Sequence, residues 1–211
     1  MARAAGEERE RELSWLDYSD PGDVSAEGKW LLFNEEGDGG GHNYSIFLPD
    51  DRRILFSGSE RGDAMRDYLQ DIEGGKPRPI TLEGGVSVWR THPLSPDGKS
   101  VIALDPDGKL NIFPTDGEGR QPALGTLSGD VPVRWGADGH SAFVTQGGEI
   151  PAKVYRLDFA TQTRRIVAEL SVPDRTGLTG IRYIQMTPDG KSYAYTFSRF
   201  LTELCVIEGL K

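Results

Sequence analysis

Short apolar runs recur along the chain, and each of them follows a polar turn. The runs are Trp30–Phe33, Ile54–Phe56, Val101–Leu104, Ala142–Val144 and Tyr193–Phe197. Short runs of β-prone residues bounded by turns are typical of strands. Helix-forming composition is limited to residues 7–13 and 63–70, and we expect the second stretch to form a strand over 66–72 instead. The pattern therefore predicts an all-β chain.

The turns share one sequence. Ser95-Pro96-Asp97-Gly98-Lys99 returns as Thr187-Pro188-Asp189-Gly190-Lys191, with weaker copies at residues 25–29, 48–52 and 136–140. Proline fixes φ near −65°, and glycine supplies the positive φ that closes a hairpin. Another residue at the glycine position costs about 1–2 kcal/mol. We predict structural turn residues, with each carboxylate bonded to its own backbone, at Asp97, Gly98, Asp138, Gly139, Asp189 and Gly190.

The clearest turns recur at intervals of about 40–50 residues, which is the spacing of propeller blades with several short strands each. We therefore predict a β-propeller of four-stranded antiparallel blades. After a charged tail at residues 1–12, the propeller covers 13–211 in about five units: 13–48, 49–85, 86–130, 131–176 and 177–211. The first unit is short and incomplete, and the last lacks its own outer strand.

The fourth unit contains a full set of strands, at 131–135, 141–145, 153–159 and 164–170. The third unit matches it with strands at 86–94, 101–104, 110–114 and around 123–127, and the last with strands at 181–186, 192–197 and 204–208. Leu94, Trp135 and Met186 each precede a turn glycine by four residues. Equivalent positions in repeated units share one environment, so we expect these three side chains to pack between neighbouring blades.

Charge and composition exclude several classes of function. The chain has 24 Lys and Arg against 33 Asp and Glu, a net charge of −9, which disfavours binding to nucleic acid or to anionic membranes. No apolar run is long enough to span a bilayer, and the charged N-terminus does not resemble a secretory signal. These absences predict a cytoplasmic protein. The single cysteine, Cys205, excludes an internal disulfide and a multi-cysteine zinc site.

Motifs that suggest catalysis or metal binding are better explained as turns. The glycines of residues 37–41 lack the lysine and the helix of a phosphate loop, so we interpret them as a loop between two strands. Asp105-Pro106-Asp107-Gly108 lacks the later ligands of a calcium loop. His42, His92 and His140 do not have the spacing of a metal pair, and Ser57-Gly58-Ser59 is not a nucleophile elbow. We therefore expect no metal, no cofactor and no enzymatic activity.

Three arginines are the candidate binding residues. Arg90, Arg134 and Arg182 all lie on predicted first strands, which line the channel of a propeller. Arginines that converge there suit a carboxylate or a peptide terminus. The alternative, which we favour, is that they form ion pairs with nearby acids such as Asp130 or Glu149.

The Ser/Thr-Pro-Asp-Gly-Lys turn resembles the WD40-like, TolB-type propeller repeat. More narrowly, the chain resembles the C-terminal propeller of bacterial serine/threonine kinases, in segments 11–17, 37–44, 129–135 and 206–211. That resemblance implies a propeller that follows a kinase and a membrane span in longer relatives, and hence an extracytoplasmic alternative. No Gly-rich loop or His-Arg-Asp motif is present, and Asp158-Phe159-Ala160 is not Asp-Phe-Gly, so kinase activity does not transfer.

The sequence thus predicts a non-catalytic propeller that acts as a scaffold or sensor for a protein or a small ligand. One alternative is the accessory propeller of a peptidase or other hydrolase whose catalytic domain lies elsewhere. Another is a truncated fragment without independent activity, whose unpaired strand edges promote self-association.

Overall fold

The computed structural model describes residues 19–35, 44–59, 63–87, 91–116 and 119–202. These parts of the chain contain fifteen strands and no helix. In order they are β1 Ser19–Val24, β2 Leu31–Glu35, β3 Tyr44–Phe47, β4 Arg53–Gly58, β5 Arg66–Asp71, β6 Gly74–Pro79, β7 Ser100–Leu104, β8 Leu110–Pro114, β9 Gln121–Pro122, β10 Asp130–Trp135, β11 Ser141–Gln146, β12 Ala152–Asp158, β13 Arg164–Leu170, β14 Leu178–Met186 and β15 Tyr193–Arg199.

The strands form five antiparallel sheets in which sequence neighbours pair. β3–β6 and β10–β13 are four-stranded sheets, β7–β9 is three-stranded, and β1–β2 and β14–β15 are two-stranded. Isolated bridges from His92 and Leu94 add a rudimentary first strand beside β7. The prediction of an all-β propeller of antiparallel blades is confirmed. Within the described residues, no helix is long and apolar enough to cross a membrane.

Apolar clusters lie between successive sheets. Leu55 and Leu69 of the second sheet meet Val101 and Phe113 of the third. Trp135 of the fourth sheet packs against the third-sheet side chains of Ile102 and Leu110, and its Nε1 donates to the Pro93 carbonyl at 2.7 Å. Met186 of the fifth sheet packs on the fourth, and Leu94 packs against the cluster between the second and third sheets. The inter-blade role expected for Leu94, Trp135 and Met186 is therefore confirmed.

The second sheet begins earlier than the boundary at 48/49. Tyr44–Phe47 pairs with Arg53–Gly58, because the turn at residues 48–52 joins two strands of one blade and does not separate two blades. Ser25–Lys29 likewise joins β1 to β2, and the first sheet has only these two described strands. The sheets therefore occupy residues 19–35, 44–79, 92–122, 130–170 and 178–199.

The prediction of a fourth strand at 123–127 in the third sheet is wrong. The edge strand of the third sheet is only Gln121–Pro122, and residues 124 and 125 form a turn. Gly125 has a φ of 81°, which no strand residue adopts. Its missing side chain leaves room for Leu157 and Gln162 of the fourth sheet. The strand expected at 66–72 is present as β5, whereas the stretches 7–13 and 204–208 lie outside the described residues.

The repeated turns have the expected backbone. φ is 68° at Gly28, 69° at Gly98, 72° at Gly139 and 72° at Gly190, and Asp51 takes the same conformation at 51°. In the third sheet, Asp97 Oδ1 accepts hydrogen bonds from Ser95 Oγ at 2.7 Å and from the Lys99 backbone N–H at 3.1 Å. Asp189 makes the same pair of bonds with Thr187 and Lys191 in the fifth sheet.

Candidate functional site

The first strands of successive sheets enclose two separate cavities. Each first strand starts near one end of the propeller and finishes at a Pro-Asp-Gly turn at the other end. One cavity lies at each of these two ends. We call them the loop-end cavity and the turn-end cavity. The loop-end cavity has a volume of about 380 Å³ and is lined by Thr91, Val131, Pro132, Val133, Thr145, Gln146, Gly147, Gly148, Glu149, Ala152, Ile181, Arg182, Tyr183 and Ile184.

A β-bulge shapes one wall of the loop-end cavity. Successive residues of a regular strand point to opposite faces of the sheet. In β14, however, the pairing with β15 shifts between Arg182 and Gln185, and Tyr183 has a φ of 49°. Positive φ is unusual for a bulky residue, and bulges re-aim side chains. The four consecutive residues from Ile181 to Ile184, which lead into this bulge, all line the cavity.

Two of the residues that line this cavity are charged. Glu149 lies in the loop between β11 and β12, and its Oε2 atom is buried without a hydrogen-bond partner. Arg182 of β14 also lines the cavity. Within the described residues, the guanidinium of Arg182 makes no ion pair with Glu149 or with another acid. The rest of the lining is apolar or uncharged, so the two opposite charges face a mainly apolar space.

The turn-end cavity is smaller and already internally bonded. Its volume is about 290 Å³, and its charged and titratable lining residues are Asp23, Asp51, His92 and Arg134. Asp23 Oδ2 accepts a hydrogen bond from the Phe47 N–H at 2.9 Å. Arg134 Nη1 donates to the Met186 carbonyl at 2.6 Å and so ties the fourth sheet to the fifth.

The titration of His92 reflects this setting. Burial and the neighbouring Arg134 charge lower the pKa of the imidazole below 6.5, against the opposing influence of Asp23 and of a hydrogen bond with Gln185. The imidazole is therefore neutral at pH 7, and the cavity has little unsatisfied charge to offer a ligand.

The structure does not bring the described candidate arginines together. Arg134 lies in the turn-end cavity and Arg182 in the loop-end cavity, while Arg90 is outside the described residues. Asp130, a suggested partner for these arginines, is instead bound by Arg164. The Nη1 atom of Arg164 donates to Oδ1 at 2.8 Å and to Oδ2 at 2.6 Å. Glu149, the other suggested partner, lines the loop-end cavity, and its Oε2 atom is buried without a hydrogen-bond partner.

Two buried carboxylates join strands of their own sheet to adjacent connecting segments. Asp67 on β5 accepts hydrogen bonds from Ser57 Oγ at 2.6 Å and from the Ser87 N–H at 2.8 Å, and burial raises its pKa above 3.8 despite these bonds. Asp130 opens β10 and also accepts from the Leu127 N–H at 2.8 Å. No sequence motif distinguishes these two acids from the many exposed ones, so the sequence analysis missed the role of Asp67 and the Arg164 partner of Asp130.

The other candidate motifs are occupied by local bonds. Asp105 Oδ1 accepts from the Lys109 N–H at 2.9 Å, and Asp105 Oδ2 accepts from Arg120 at 3.1 Å. His140 lies in the exposed turn beside Asp138. The loop 37–41, His42 and Cys205 lie outside the described residues. In the parts of the chain that the structure describes, no three His, Cys, Asp or Glu side chains are grouped as metal ligands.

Asp138 gives the fourth-sheet turn a pH-dependent bond. Burial disfavours its ionised form, but hydrogen bonds from Ser141, the His140 N–H and Arg156 outweigh burial and hold its pKa at about 2. A lowered carboxyl pKa stabilises the fold above pH 3.8 and loses that contribution as the pH falls from 3.8 to about 2.

We therefore expect the thermal midpoint of the wild type to fall more steeply over this range than that of Asp138→Asn. Asp107→Asn, in the exposed turn between β7 and β8, controls for the loss of one carboxylate and should keep the wild-type slope. Equal slopes for the wild type and Asp138→Asn would contradict the assignment.

No protein-family model matches the chain, and no curated protein matches it in sequence. Solved structures do match. A protein described as TolB of Agrobacterium tumefaciens aligns with a TM-score of 0.63 and 17% identity over 86% of this chain and 70% of that one. TolB of Acinetobacter baumannii aligns with a TM-score of 0.57 and 16% identity over 85% of this chain and 54% of that one.

An oligogalacturonate lyase of Vibrio parahaemolyticus has a TM-score of 0.53 at 12% identity, over 86% of this chain and 53% of that chain. The chain therefore spans about half to two thirds of the length of these three proteins. At such identities the likeness concerns the fold alone. The fold is that of a TolB-like β-propeller, with an apolar, two-charge cavity at the start of its first strands.

Proposed function

We propose that the protein is a non-catalytic binding module and that its loop-end cavity receives a protein segment or a small ligand. The observation that carries this proposal is the cavity itself. Its volume, about 380 Å³, falls within the usual range for ligand sites, and so does its lining of apolar walls with a few polar groups. The propeller is the rigid scaffold, and a fold of this kind serves many functions, so the argument depends on the site.

The side chains at the cavity support binding rather than catalysis. Among the described lining residues there is no serine, cysteine or histidine. Nucleophilic catalysis needs a nucleophile within hydrogen-bond reach of a base. The Thr145 hydroxyl instead donates to the Lys153 carbonyl at 3.0 Å, in the hairpin between β11 and β12. The described lining therefore favours the holding of a ligand over nucleophilic catalysis.

The resemblance to kinase propellers suggests where such a module works. By that resemblance the chain is the sensory or interaction part of a system linked to a serine/threonine kinase, with a protein partner or small ligand as the signal. The segment 129–135, one of the four that carry the resemblance, includes Val131, Pro132 and Val133 of the cavity wall. Part of the lining of the proposed site therefore lies within a segment that carries the resemblance.

A second candidate is the accessory propeller of a larger enzyme. The observation that favours it is the alignment with a puromycin-hydrolysing peptidase of Mycobacterium tuberculosis, at a TM-score of 0.51 and 17% identity over 80% of this chain and only 27% of that one. Assays of the purified protein with generic peptide and ester substrates separate the two candidates. We expect no turnover, and turnover abolished by a serine or histidine substitution would overturn the non-catalytic proposal.

Gly147 offers a way to block the cavity. A Cβ atom at Gly147 would have no neighbour within 4 Å, and its φ is not in the left-handed region. We expect Gly147→Trp to fold normally and to place an indole at the cavity wall. In a selection from a random peptide library displayed on phage, the wild type should enrich a binding sequence, and Gly147→Trp should lose that enrichment.

Lys76→Trp is the matched control, because it adds the same indole at an exposed position of β6 in another sheet. This variant should bind as the wild type does. Equal binding of the enriched sequence by Gly147→Trp would contradict the use of the loop-end cavity, and so would failure of the wild type to bind both the displayed peptides and small ligands with free termini.

A further inference from the structure

Glu149 and Arg182 are the two charged residues that line the loop-end cavity. A buried carboxylate oxygen without a hydrogen-bond donor is unfavourable, and native structures seldom leave one unsatisfied. Glu149 Oε2 is such an atom. The terminal torsion of glutamate is broad, so a small rotation presents either oxygen to an incoming donor. Arg182 faces the same space, and no described acid neutralises it.

The arginine lines the cavity together with apolar residues. Ile181, Arg182 and Ile184 of β14 line it, as do Val133 and Ala152 of the fourth sheet. The register shift of β14 follows Arg182 and includes Tyr183. A positive φ at Tyr183 has an energetic cost, and strained residues of this kind cluster at ligand sites.

We propose that the loop-end cavity binds a small zwitterion with an apolar body, namely a free apolar amino acid or a short apolar peptide. Glu149 accepts hydrogen bonds from the ligand's ammonium group, and Arg182 donates to its carboxylate. The apolar walls hold the side chain or side chains between the two ends. This inference depends on the proposed binding function and specifies the ligand class for that same cavity.

The choice of a zwitterion follows from the pairing of charges. A purely anionic ligand would bind Arg182 but would repel the Glu149 carboxylate and leave it without a donor. A cationic ligand would bind Glu149 but would repel Arg182 and leave its guanidinium without an acceptor. Charge-assisted hydrogen bonds are stronger than neutral ones. In a mainly apolar cavity, the bonds to Glu149 and to Arg182 are both needed to offset the desolvation of the ligand's charged groups. A ligand that carries both charges therefore satisfies both walls at once.

Calorimetric titration with four probes tests this inference. The probes are leucine, leucyl-leucine, N-acetyl-leucyl-leucine and leucyl-leucine amide, which vary the length and remove one charge at a time. We expect at least one free zwitterion to bind and each capped dipeptide to bind about tenfold or more weakly than leucyl-leucine, as for the loss of one charged hydrogen bond. The comparison of leucine with leucyl-leucine distinguishes an amino acid from a peptide as the source of the two charges.

Two variants assign each end of the ligand. Glu149→Gln should bind leucyl-leucine and N-acetyl-leucyl-leucine with equal affinity. Arg182→Gln should bind leucyl-leucine and leucyl-leucine amide with equal affinity. Glu169→Gln and Arg165→Gln, at exposed positions of β13, make the same chemical changes away from the cavity and should behave as the wild type. Circular dichroism and melting curves verify that all four variants fold.

Failure of leucine and leucyl-leucine to bind would overturn the inference. Equal binding of capped and free dipeptides, or the same discrimination in Glu149→Gln as in the wild type, would also overturn it. In each of these cases the broader binding function would still stand if phage-selected sequences bound the wild type but not Gly147→Trp. If those sequences also failed to bind, the proposed function itself would be wrong.

Discussion

Gly98→Ala and Gly190→Ala are each expected to destabilise the protein by clearly more than the strain of a left-handed backbone. That strain alone is about 1–2 kcal/mol. At Gly98, a Cβ atom would also lie 2.7 Å from Cδ of Pro49, in the turn of the neighbouring blade. At Gly190 it would lie 2.7 Å from Cζ of Phe143, a core side chain that is 2% exposed. Overpacking of this kind adds about 1–3 kcal/mol.

Gly108→Ala and Gly139→Ala are the matched controls. These glycines have φ values of 74° and 72°, yet a Cβ atom at either would have no neighbour within 4 Å. They should therefore show only the backbone cost. Urea unfolding of the four variants measures the difference, and equal losses at all four positions would contradict the inter-blade contacts of the two tight turns.

Arg164→Met is expected to cost about 3–5 kcal/mol, the usual effect of removing one partner of a buried ion pair. The Asp130 side chain is 1% exposed and that of Arg164 is 16% exposed. Loss of the guanidinium would leave the carboxylate buried and without its ionic partner. It would also remove the contact of the guanidinium with the Tyr155 ring, whose centroid lies 3.7 Å away.

The exposed pair of Arg53 and Asp50 provides the comparison. Its Nε–Oδ2 distance is 2.7 Å, but the two side chains are 40% and 35% exposed, so Arg53→Met should cost less than about 1 kcal/mol. The double variant Asp130→Asn/Arg164→Met should recover part of the loss, because it removes the uncompensated charge. Denaturant unfolding measures all three variants, and similar losses for Arg164→Met and Arg53→Met would show that burial does not govern the Asp130 pair.

The hairpins were predictable because their signals are local. The four strands of the fourth sheet agree with the sequence to within about one residue at either end, since alternating apolar residues and Pro-Asp-Gly turns act over a few positions. The weak edge of the third sheet was not predictable in the same way. There, Gly125 adopts a turn that fits against Leu157 and Gln162, which lie more than thirty residues later in the chain.

The candidate site was predicted only in part. The sequence placed Arg134 and Arg182 together on channel-lining first strands, whereas in the structure they line two separate cavities. Arg134 is bound to the Met186 carbonyl, a contact that depends on how the fourth and fifth sheets pack. The bulge that follows Arg182 in β14 is not announced by any residue type.

From its amino-acid order alone, the chain specifies short antiparallel hairpins, their turn glycines and their repetition as blades, because these depend on neighbours within a few residues. The tertiary structure decides the rest: which acids are buried with a partner, which glycines lack room for a methyl group, and which charges face a cavity. Those outcomes depend on atoms that are far apart in the chain and close in space, so only the folded molecule reveals them.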